Sequence, residues 1–287
     1  MVKHSTGKVY EGRRVALGTK HEKELVMRPP FMFHTGAFLV VPEAMDTDSL
    51  GTFTGEIERP GNPLETVRKK AEWAMSLSGL SLGLASEGSF GPHPGIGVLG
   101  CGMEWMMFID AERHIRVAES LLTLKTNFGH LTLSSSDEAV DFLESSGFPS
   151  HAVIVRPNEP FRKPEVIFKG IVDAGALGKA IRECASLSAD GRCRLETDMR
   201  AHFNPTRQAC LQALAWRLAS RLARACPRCE TPGWGVVDVY TGLPCESCGD
   251  GTRLPREEKL GCARCDHSEL RPVSGETAKA PAENCDS

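Results

Sequence analysis

Long apolar segments are absent from this sequence. No hydrophobic run approaches the roughly 18 to 20 residues that a membrane-spanning helix needs. The first residues, 1–14, are polar and charged, so they lack the apolar centre of a secretory signal peptide. Both absences argue against a membrane or secreted protein. We therefore expect a cytoplasmic protein with no membrane partner.

An excess of charge of one sign is also absent. The net charge of −3 predicts no general attraction to nucleic acid or to anionic membranes. The phosphate-binding pattern GxxxxGKS is missing, and no GxGxxG follows the first predicted strand, which argues against a Rossmann dinucleotide site. Ser86 and Ser89 do not lie in the GxSxG pattern of the α/β-hydrolases.

What remains is the composition of an ordinary globular protein. The chain has 287 residues, of which 41% are hydrophobic and 25% charged, enough for one large domain and a small one. Segments typical of strands alternate with segments of helical periodicity, which predicts an α/β fold with a mixed sheet and flanking helices. We place the α/β domain at 1–204, a long linking helix at 205–225, and a zinc-ribbon-like module with a flexible tail at 226–287.

Two local signals bear on the candidate sites. The segment 62–65 (NPLE) is a good helix start, with Asn as N-cap and Pro in the first turn, and Gly79 is the expected end of that helix. A strand is predicted at 80–85. The glycine-rich stretch 86–102 that follows is predicted to be a loop.

Cysteine has the most informative distribution. Four of the 11 cysteines are scattered, and the other seven follow residue 225. Disulfides are rare in the cytoplasm, so this clustering indicates a metal site. Three CxxC pairs are present, and each can direct two thiolates at one zinc ion. The predicted zinc ligands are Cys226, Cys229, Cys245, Cys248, Cys262, Cys265 and Cys285.

The sequence leaves open how these cysteines are shared between ions. In one arrangement the first and second CxxC pairs bind one ion, and the third pair is completed by Cys285 and His267. In the other, the second and third pairs share an ion and the first pair interleaves. A site made of thiolates has no open coordination position, so its role is structural.

Basic residues at two places are candidates for binding phosphate. One group follows the first predicted strand, and ligands of α/β sheets bind at the carboxyl ends of strands. The other group surrounds the start of the long helix, where a helix N-terminus favours anions. The alternatives are a solvated turn and polar contacts between domains. The predicted phosphate-binding residues are Thr19, Lys20, Lys23, Arg200 and Arg207.

Acidic residues at two further places are candidates for catalysis. Glu56 lies among hydroxyls and glycines, a composition that suits Mg²⁺, which takes oxygen ligands. Glu87 and His93 lie in the predicted loop 86–102. Glu87 is a candidate metal ligand or general base, and His93 a candidate acid, base or ligand. We predict that these three side chains converge beside Lys20 and Lys23. The alternative is a polar surface loop.

A stripe of arginines is predicted on the long helix. Arg217, Arg221 and Arg224 recur at helical spacing and are candidates for contacting the phosphates of a nucleic acid, or a protein partner. The alternative interpretation is a solvated helix face, or pairing with acids of the other domain.

Five motifs together resemble a bacterial family defined by a domain of unknown function. They are GTKHEKE, DTDSLGTFTGEIERP, LASEGSFGPHP, ETDMRAHFNPTR, and CPRCETPGWG with GLPCESCG. The motifs span nearly the whole chain, and the family brings no established activity with it. Its pattern closes with a further CxxC-like pair, where this sequence has Cys285.

A second resemblance suggests a chemistry. The sequence has Thr-x-x-x-Lys after the first strand, a Thr-Gly-Glu loop, a Lys-Ala helix and a Ser-Glu-Gly turn, and this order is similar to the non-canonical nucleoside triphosphate pyrophosphatase superfamily. His21 stands where that superfamily has Asn, and Ser86 stands where it has an acid. The resemblance implies phosphate contacts from Thr19, Lys20 and Lys23, Mg²⁺ ligands at Glu56 and Glu87, and assistance from Lys69 or Lys70.

These observations predict a Mg²⁺-dependent hydrolase that acts on a nucleotide-like phosphate ligand and contains a structural zinc module. The alternative is a non-enzymatic zinc-ribbon adaptor or ligand-sensing protein that binds protein or nucleic acid.

Overall fold

A computed structural model describes residues 8–43, 45, 62–93, 96–158, 166–273 and 278–285. Within these ranges the chain forms three β-sheets, two of which pack against helices. None of the helices in these ranges combines the length and the apolar character that a bilayer crossing requires.

The largest sheet contains the first five strands. They are β1 (Arg14–Gly18), β2 (Phe38–Val40), β3 (Leu82–His93), β4 (Ile96–Asp110) and β5 (Ile115–Thr123). Their order in the sheet is β2-β1-β3-β4-β5. Strand β1 is parallel to β2 and to β3, whereas β4 is antiparallel to β3 and to β5. The predicted α/β class with a mixed sheet is confirmed.

Helices cover both faces of this sheet. Helix α1 (Glu24–Thr35) packs on one face and α2 (Pro63–Ser78) on the other. Alternate residues of β3 point to opposite faces, so Leu84 belongs to the core beside α1 and Ala85 to the core beside α2. Helix α2 begins at the predicted cap, where the Asn62 side chain accepts a hydrogen bond from the Leu64 amide at 2.9 Å.

A second sheet follows with its own core. Its strands are β6 (His130–Leu133), β7 (Val153–Pro157), β8 (Phe168–Ile171) and β9 (Cys193–Thr197), in the order β6-β9-β7-β8. Helices α3 (Val140–Ser146) and α4 (Ala174–Leu187) accompany it. All its strand pairs are antiparallel, and Ile181 and Leu195 are fully buried between α4 and the sheet.

The predicted long helix is α5 (Pro205–Leu222), and it returns to the first sheet. It packs beside α1, and its apolar stripe lies in the core of that sheet. The residues of the stripe are Leu211, Leu214, Leu218 and Leu222, all fully buried. The boundaries proposed at 204/205 and 225/226 stay a prediction.

A small antiparallel sheet ends the chain. Its strands are β10 (Gly235–Thr241), β11 (Pro255–Gly261) and β12 (Ser268–Pro272), in that order. Most of their side chains are exposed, so this sheet buries little apolar area of its own. In so small a module, metal binding by the cysteine clusters described below would supply much of the free energy of folding.

The predicted loop over 86–102 is wrong. Strands β3 and β4 continue through it, and Glu87 pairs with Trp105 in the middle of the hairpin. Two glycines of this stretch, Gly88 and Gly102, lie where other side chains cross the strands. A Cβ on Gly88 would lie 2.6 Å from a Glu104 oxygen, and one on Gly102 would lie 2.9 Å from the Phe90 ring. Glycine here indicates close packing, not a turn.

Helix α1 and strands β6 and β9 are among the elements that the sequence did not predict. Helix α1 contains Pro29 and Pro30, which argue against a helix because they lack amide donors. It forms because Met27 and Phe31 are completely buried against the sheet, and this packing outweighs local propensity. Strands β6 and β9 have only four and five residues, so the alternation of apolar and polar positions in each is too short to identify a strand.

A buried ion pair fastens α5 to the first sheet. Arg207 donates from Nε to Glu104 Oε1 at 2.6 Å, and both side chains are 1% exposed. The same guanidinium donates to the Met199 carbonyl and lies over the Phe90 ring, 5.2 Å from its centroid. Breaking such a pair leaves one uncompensated charge in the interior, which costs far more than breaking a surface pair.

We expect Arg207→Met to lower the free energy of unfolding by about 3–5 kcal/mol, because it leaves the Glu104 carboxylate buried without its cation. The matched control is Arg228→Met, which removes an ion pair to Asp266 whose side chains are 61% and 86% exposed. Urea denaturation measures both. Equal losses in the two variants would contradict the importance of the buried pair.

Candidate functional site

The first cysteine cluster combines the first and third CxxC pairs. Cys226, Cys229, Cys262 and Cys265 bring their sulfurs within 4.8 Å of one another. The Cys226–Cys265 and Cys229–Cys262 Sγ distances are 3.8 and 3.5 Å. A tetrahedron of thiolates around zinc, at Zn–S about 2.3 Å, has edges of roughly 3.8 Å. The cluster therefore has the dimensions of a four-thiolate zinc site.

Backbone amides and a hydroxyl support these sulfurs. The amides of Arg264 and Cys265 donate to the Cys262 sulfur at 3.3 and 3.4 Å, as in a metal knuckle. Hydrogen bonds from Thr231 lower the pKa of the Cys229 thiol to about 6. Donors that stabilise a thiolate also favour metal binding, since the thiolate is the ligand.

The second cluster contains Cys245, Cys248 and Cys285. The Cys248 and Cys285 sulfurs are 3.4 Å apart, and the Ser247 amide donates to Cys245. Hydrogen bonds from the Cys248 and Ser247 amides lower the pKa of Cys245. These three thiolates can hold a metal ion whose fourth position is filled by another donor.

Both predicted pairings of the CxxC motifs are wrong. Strands β10 and β11 form an antiparallel hairpin in which Gly235 pairs with Gly261, and this brings the first and third pairs to one end. The second pair lies in the connection at the other end, where Cys245 bridges to Ala280 just before Cys285. His267 is not a ligand of either cluster: its ring stacks on Trp234, and its Nε2 is 3.0 Å from Glu269.

Three of the scattered cysteines are inert. Burial raises the pKa of Cys184 to about 12 and the pKa values of Cys193 and Cys210 to about 11. These thiols stay protonated at neutral pH, and the thiol form is a poor nucleophile. The fourth, Cys101, is buried in β4 and 6% exposed.

A cluster of buried charges lies at the carboxyl end of β1. Strand β1 ends at Gly18, opposite Ala85, and β3 continues beyond it. Lys23, 7% exposed, donates from Nζ to Ser86 Oγ at 3.0 Å and lies 3.4 Å from the Ser86 carbonyl oxygen. Thr19 is also buried at this edge, whereas Lys20 is exposed. The predicted phosphate-binding group that follows the first strand therefore lies at the carboxyl end of β1, as expected.

Glu87 lies at the same level on the opposite face, the face that α2 covers. Its Oε2 accepts a short hydrogen bond from Lys70 Nζ, and both side chains are buried. Lys70 is thus the lysine of α2 that reaches the acid, and Lys69 is exposed. Lys23, just before α1, and Lys70, in α2, therefore approach β3 from its two faces, close to the point where β1 ends.

The electrostatics of this cluster are concentrated on Lys23. Burial, together with the charges of Arg207 and Lys70, lowers its pKa to about 7, while Glu104 and Glu87 oppose the shift. A lysine amine whose pKa is near 7 exchanges its proton at physiological pH, which is typical of catalytic sites.

His93 and Glu87 do not share one turn, contrary to prediction. Both lie in β3, and six residues along a strand correspond to about 20 Å. Glu56 lies outside the described residues, so its expected convergence with Glu87 stays a prediction.

The two predicted phosphate-binding arginines make ion pairs. Arg200 donates to Asp198 Oδ2 at 2.6 Å and stacks on Phe203, and Arg207 pairs with Glu104. Near them the ring of His21 stacks on the ring of His202, with centroids 5.1 Å apart, a contact that no sequence signal indicated. In this conformation both guanidinium groups are held by carboxylates.

The arginine stripe of α5 serves largely internal contacts. Arg221 is buried and donates to the Gly233 carbonyl at 3.0 Å and to Glu119 at 2.9 Å. Arg217 donates to the Ser120 carbonyl, and Arg224 is exposed. Arg221, through Glu119, makes the pairing with an acid that the alternative interpretation expected, whereas the contact of Arg217 is with a main-chain carbonyl.

Two surface pockets in the described part of the chain lie away from the lysines. One, of about 640 Å³, is lined by residues of α2, β4 and β5, including Glu72, Asp110 and Arg116. The other, of about 320 Å³, lies beside β2 and is lined by Arg28, Met32 and Phe38 among others. Neither contains Lys23 or Glu87.

Comparison with known proteins gives one match. The model of a family described as Domain of unknown function (DUF6671) matches residues 70–286. The matched range includes Lys70, Glu87, Glu104, Arg207 and the seven clustered cysteines, and it begins after Lys23. Neither a curated protein nor a solved structure matches the chain significantly.

We expect two metal ions per chain, one in each cysteine cluster. Cys262→Ser should leave one ion and Cys248→Ser should also leave one, because the clusters lie at opposite ends of the β10–β11 hairpin. Elemental analysis after gel filtration measures this, with Cys210→Ser as the control that keeps both ions. Loss of both ions from either variant would show that the clusters are not independent.

We expect Lys23→Met to change how stability depends on pH. The folded-state pKa near 7 lies below the unfolded value, so the folded wild type binds fewer protons between about pH 7 and 10, and its stability rises with pH in that window. The variant lacks this term. Its stability relative to wild type should be greatest below pH 7 and fall toward pH 10.

Urea denaturation at pH 6, 8 and 9.5 measures this difference. The control is Lys179→Met, which removes an exposed lysine of α4. Parallel pH profiles for wild type and Lys23→Met would show that the amine is not perturbed.

Proposed function

We propose that this chain, which belongs to the DUF6671 family, is an enzyme that acts on a phosphate-bearing, nucleotide-like ligand at the edge where β1 ends beside β3. The observation that carries the proposal is the buried Lys23, placed at that edge with Lys70 on the other side of β3.

The position supports this function. Ligands of α/β sheets bind beyond the carboxyl ends of parallel strands, where neighbouring chain segments diverge. Strands β1 and β3 are parallel, and β1 stops while β3 goes on, so Thr19, Lys23 and Ser86 lie at the corresponding place in this sheet.

The charges support an anionic ligand. In the described residues, the buried cations Lys23, Lys70 and Arg207 face two buried carboxylates, Glu87 and Glu104. Lys70 and Arg207 each have one of these carboxylates as a direct partner, whereas the partner of Lys23 is Ser86. Burying an ammonium group beside a neutral hydroxyl costs free energy, and a bound phosphate would offset that cost.

Metal ions have two roles in this proposal. Zinc fills the cysteine clusters and stabilises the C-terminal module. Glu87 would be the protein ligand of Mg²⁺, which is typically held by one or two carboxylates plus phosphate oxygens and would neutralise charge on the substrate phosphates. The resemblance to nucleoside triphosphate pyrophosphatases belongs to this proposal and stays a prediction.

The alternative of a nucleic-acid-binding adaptor is less well supported. Arg217 and Arg221, which would have contacted nucleic-acid phosphates, donate to main-chain carbonyls and to Glu119. Arg224 alone of the three is an exposed cation without such a contact in the described part of the chain.

The direct test is turnover of a panel of nucleoside mono-, di- and triphosphates with Mg²⁺, Mn²⁺ or EDTA. We expect the double variant Lys70→Met/Glu87→Gln to lose about 100-fold or more in kcat/KM, because it removes the acid–base and charge contribution of the pair. Removing both charges together avoids leaving one of them buried alone.

Lys179→Met, which removes an exposed lysine of α4, is the surface control and should keep full turnover. Melting temperatures of all variants verify folding. Absence of nucleotide turnover by wild type under every metal condition would refute the proposal, as would full activity of the double variant.

A further inference from the structure

A hydroxyl group at the same edge has no role in the function proposed above. Ser86 is 1% exposed, and its Oγ lies 3.0 Å from Lys23 Nζ. The sequence patterns of serine hydrolases do not include it. A serine hydroxyl within hydrogen-bond distance of a perturbed amine is nevertheless the arrangement by which serine–lysine enzymes form a nucleophile.

The backbone fixes both partners of this pair. Ser86 is the first residue of β3 beyond Ala85, the last one that pairs with β1. Lys23 precedes α1, and its carbonyl accepts hydrogen bonds from the Val26 and Met27 amides at 3.2 and 3.1 Å. The start of a helix and the middle of a strand therefore hold the amine against the hydroxyl.

We propose that Ser86 is a nucleophile, that Lys23 is its general base, and that the enzyme transfers a phosphoryl group to Ser86 Oγ. The phosphate-bearing substrate class rests on the function proposed above. In the step, a bond forms between Ser86 Oγ and phosphorus, the bond from phosphorus to the leaving oxygen breaks, and the hydroxyl proton moves to Lys23 Nζ. Water then hydrolyses the phosphoserine and restores the hydroxyl.

The surroundings of Lys23 favour this role. The groups that act on it electrostatically are Arg207, Lys70, Glu104 and Glu87, and burial together with the two cations lowers its pKa to about 7. A substantial fraction of the amine is then neutral at physiological pH and can accept a proton. The same two cations favour the negative charge of an entering phosphoryl group.

A small dialkyl fluorophosphate tests the nucleophile without any substrate. It carries its own electrophilic phosphorus, and its reaction forms the Oγ–P bond and expels fluoride. We expect one adduct per chain, mapped by peptide mass spectrometry to Ser86, with a labelling rate that rises with pH through about 7. Ser89→Ala, which removes the exposed serine nearby, should label like wild type.

Lys23→Arg separates a base from a mere cation. It keeps a positive charge at the edge but cannot accept the proton. We therefore expect the labelling rate to fall by a factor of about 100 or more. Circular dichroism checks that the variant folds. If it does not fold, the pH profile of wild-type labelling decides, because it needs no variant.

Three results would each overturn the proposal. They are the absence of an adduct at Ser86, a wild-type labelling rate that does not titrate near neutral pH, and a folded Lys23→Arg variant that labels at the wild-type rate. The probe requires neither nucleotide nor Mg²⁺. Labelling of Ser86 without nucleotide turnover would therefore support the Ser86–Lys23 pair and refute the proposed nucleotide substrate. Nucleotide turnover without labelling would refute the nucleophile and support the substrate.

Discussion

The pairing of Glu104 with Arg207 in the interior is the interaction on which much of this structure depends. It joins β4 to the first turns of α5, and through the Met199 carbonyl it also holds the segment that follows the second sheet. Side chains around it have little freedom: Gly88 has no room for a Cβ, and the Phe90 ring covers the guanidinium. Because the pair is buried from solvent, its charges act over longer distances than they would in water. Both charges affect the pKa of Lys23.

Local signals of the sequence predicted local structure well. The cap at Asn62, the start of α5 at Pro205 and the α/β class were all readable, because each depends on residues close in the chain. The β3–β4 hairpin was not, since two of its glycines are required by side chains from distant positions in the chain, such as Glu104 against Gly88. Helix α1 was not predicted for a similar reason. The burial of Phe31 against the sheet outweighs the unfavourable effect of two prolines on helix formation.

The candidate site was only partly predictable. The sequence led to Lys23 and to the cysteines, because a lysine after a strand and a CxxC motif are local patterns. It did not lead to Ser86 as a partner of Lys23, to Lys70 rather than Lys69 as the partner of Glu87, or to the sharing of cysteines between clusters. Each of these depends on which strand pairs with which, or on which face of a helix meets the sheet, and neither is encoded at short range.

The interleaving of the cysteine pairs has a consequence for how the module is made on the ribosome. The chain emerges with Cys226, Cys229, Cys245 and Cys248 first, and these four thiolates are sufficient to capture an ion before the third pair exists. The native arrangement requires the second pair to be released or to remain unbound until Cys262 and Cys265 have been synthesised. Early metal capture is thus a competitor of correct folding. An ion captured by the first two pairs must leave them before the native clusters can form.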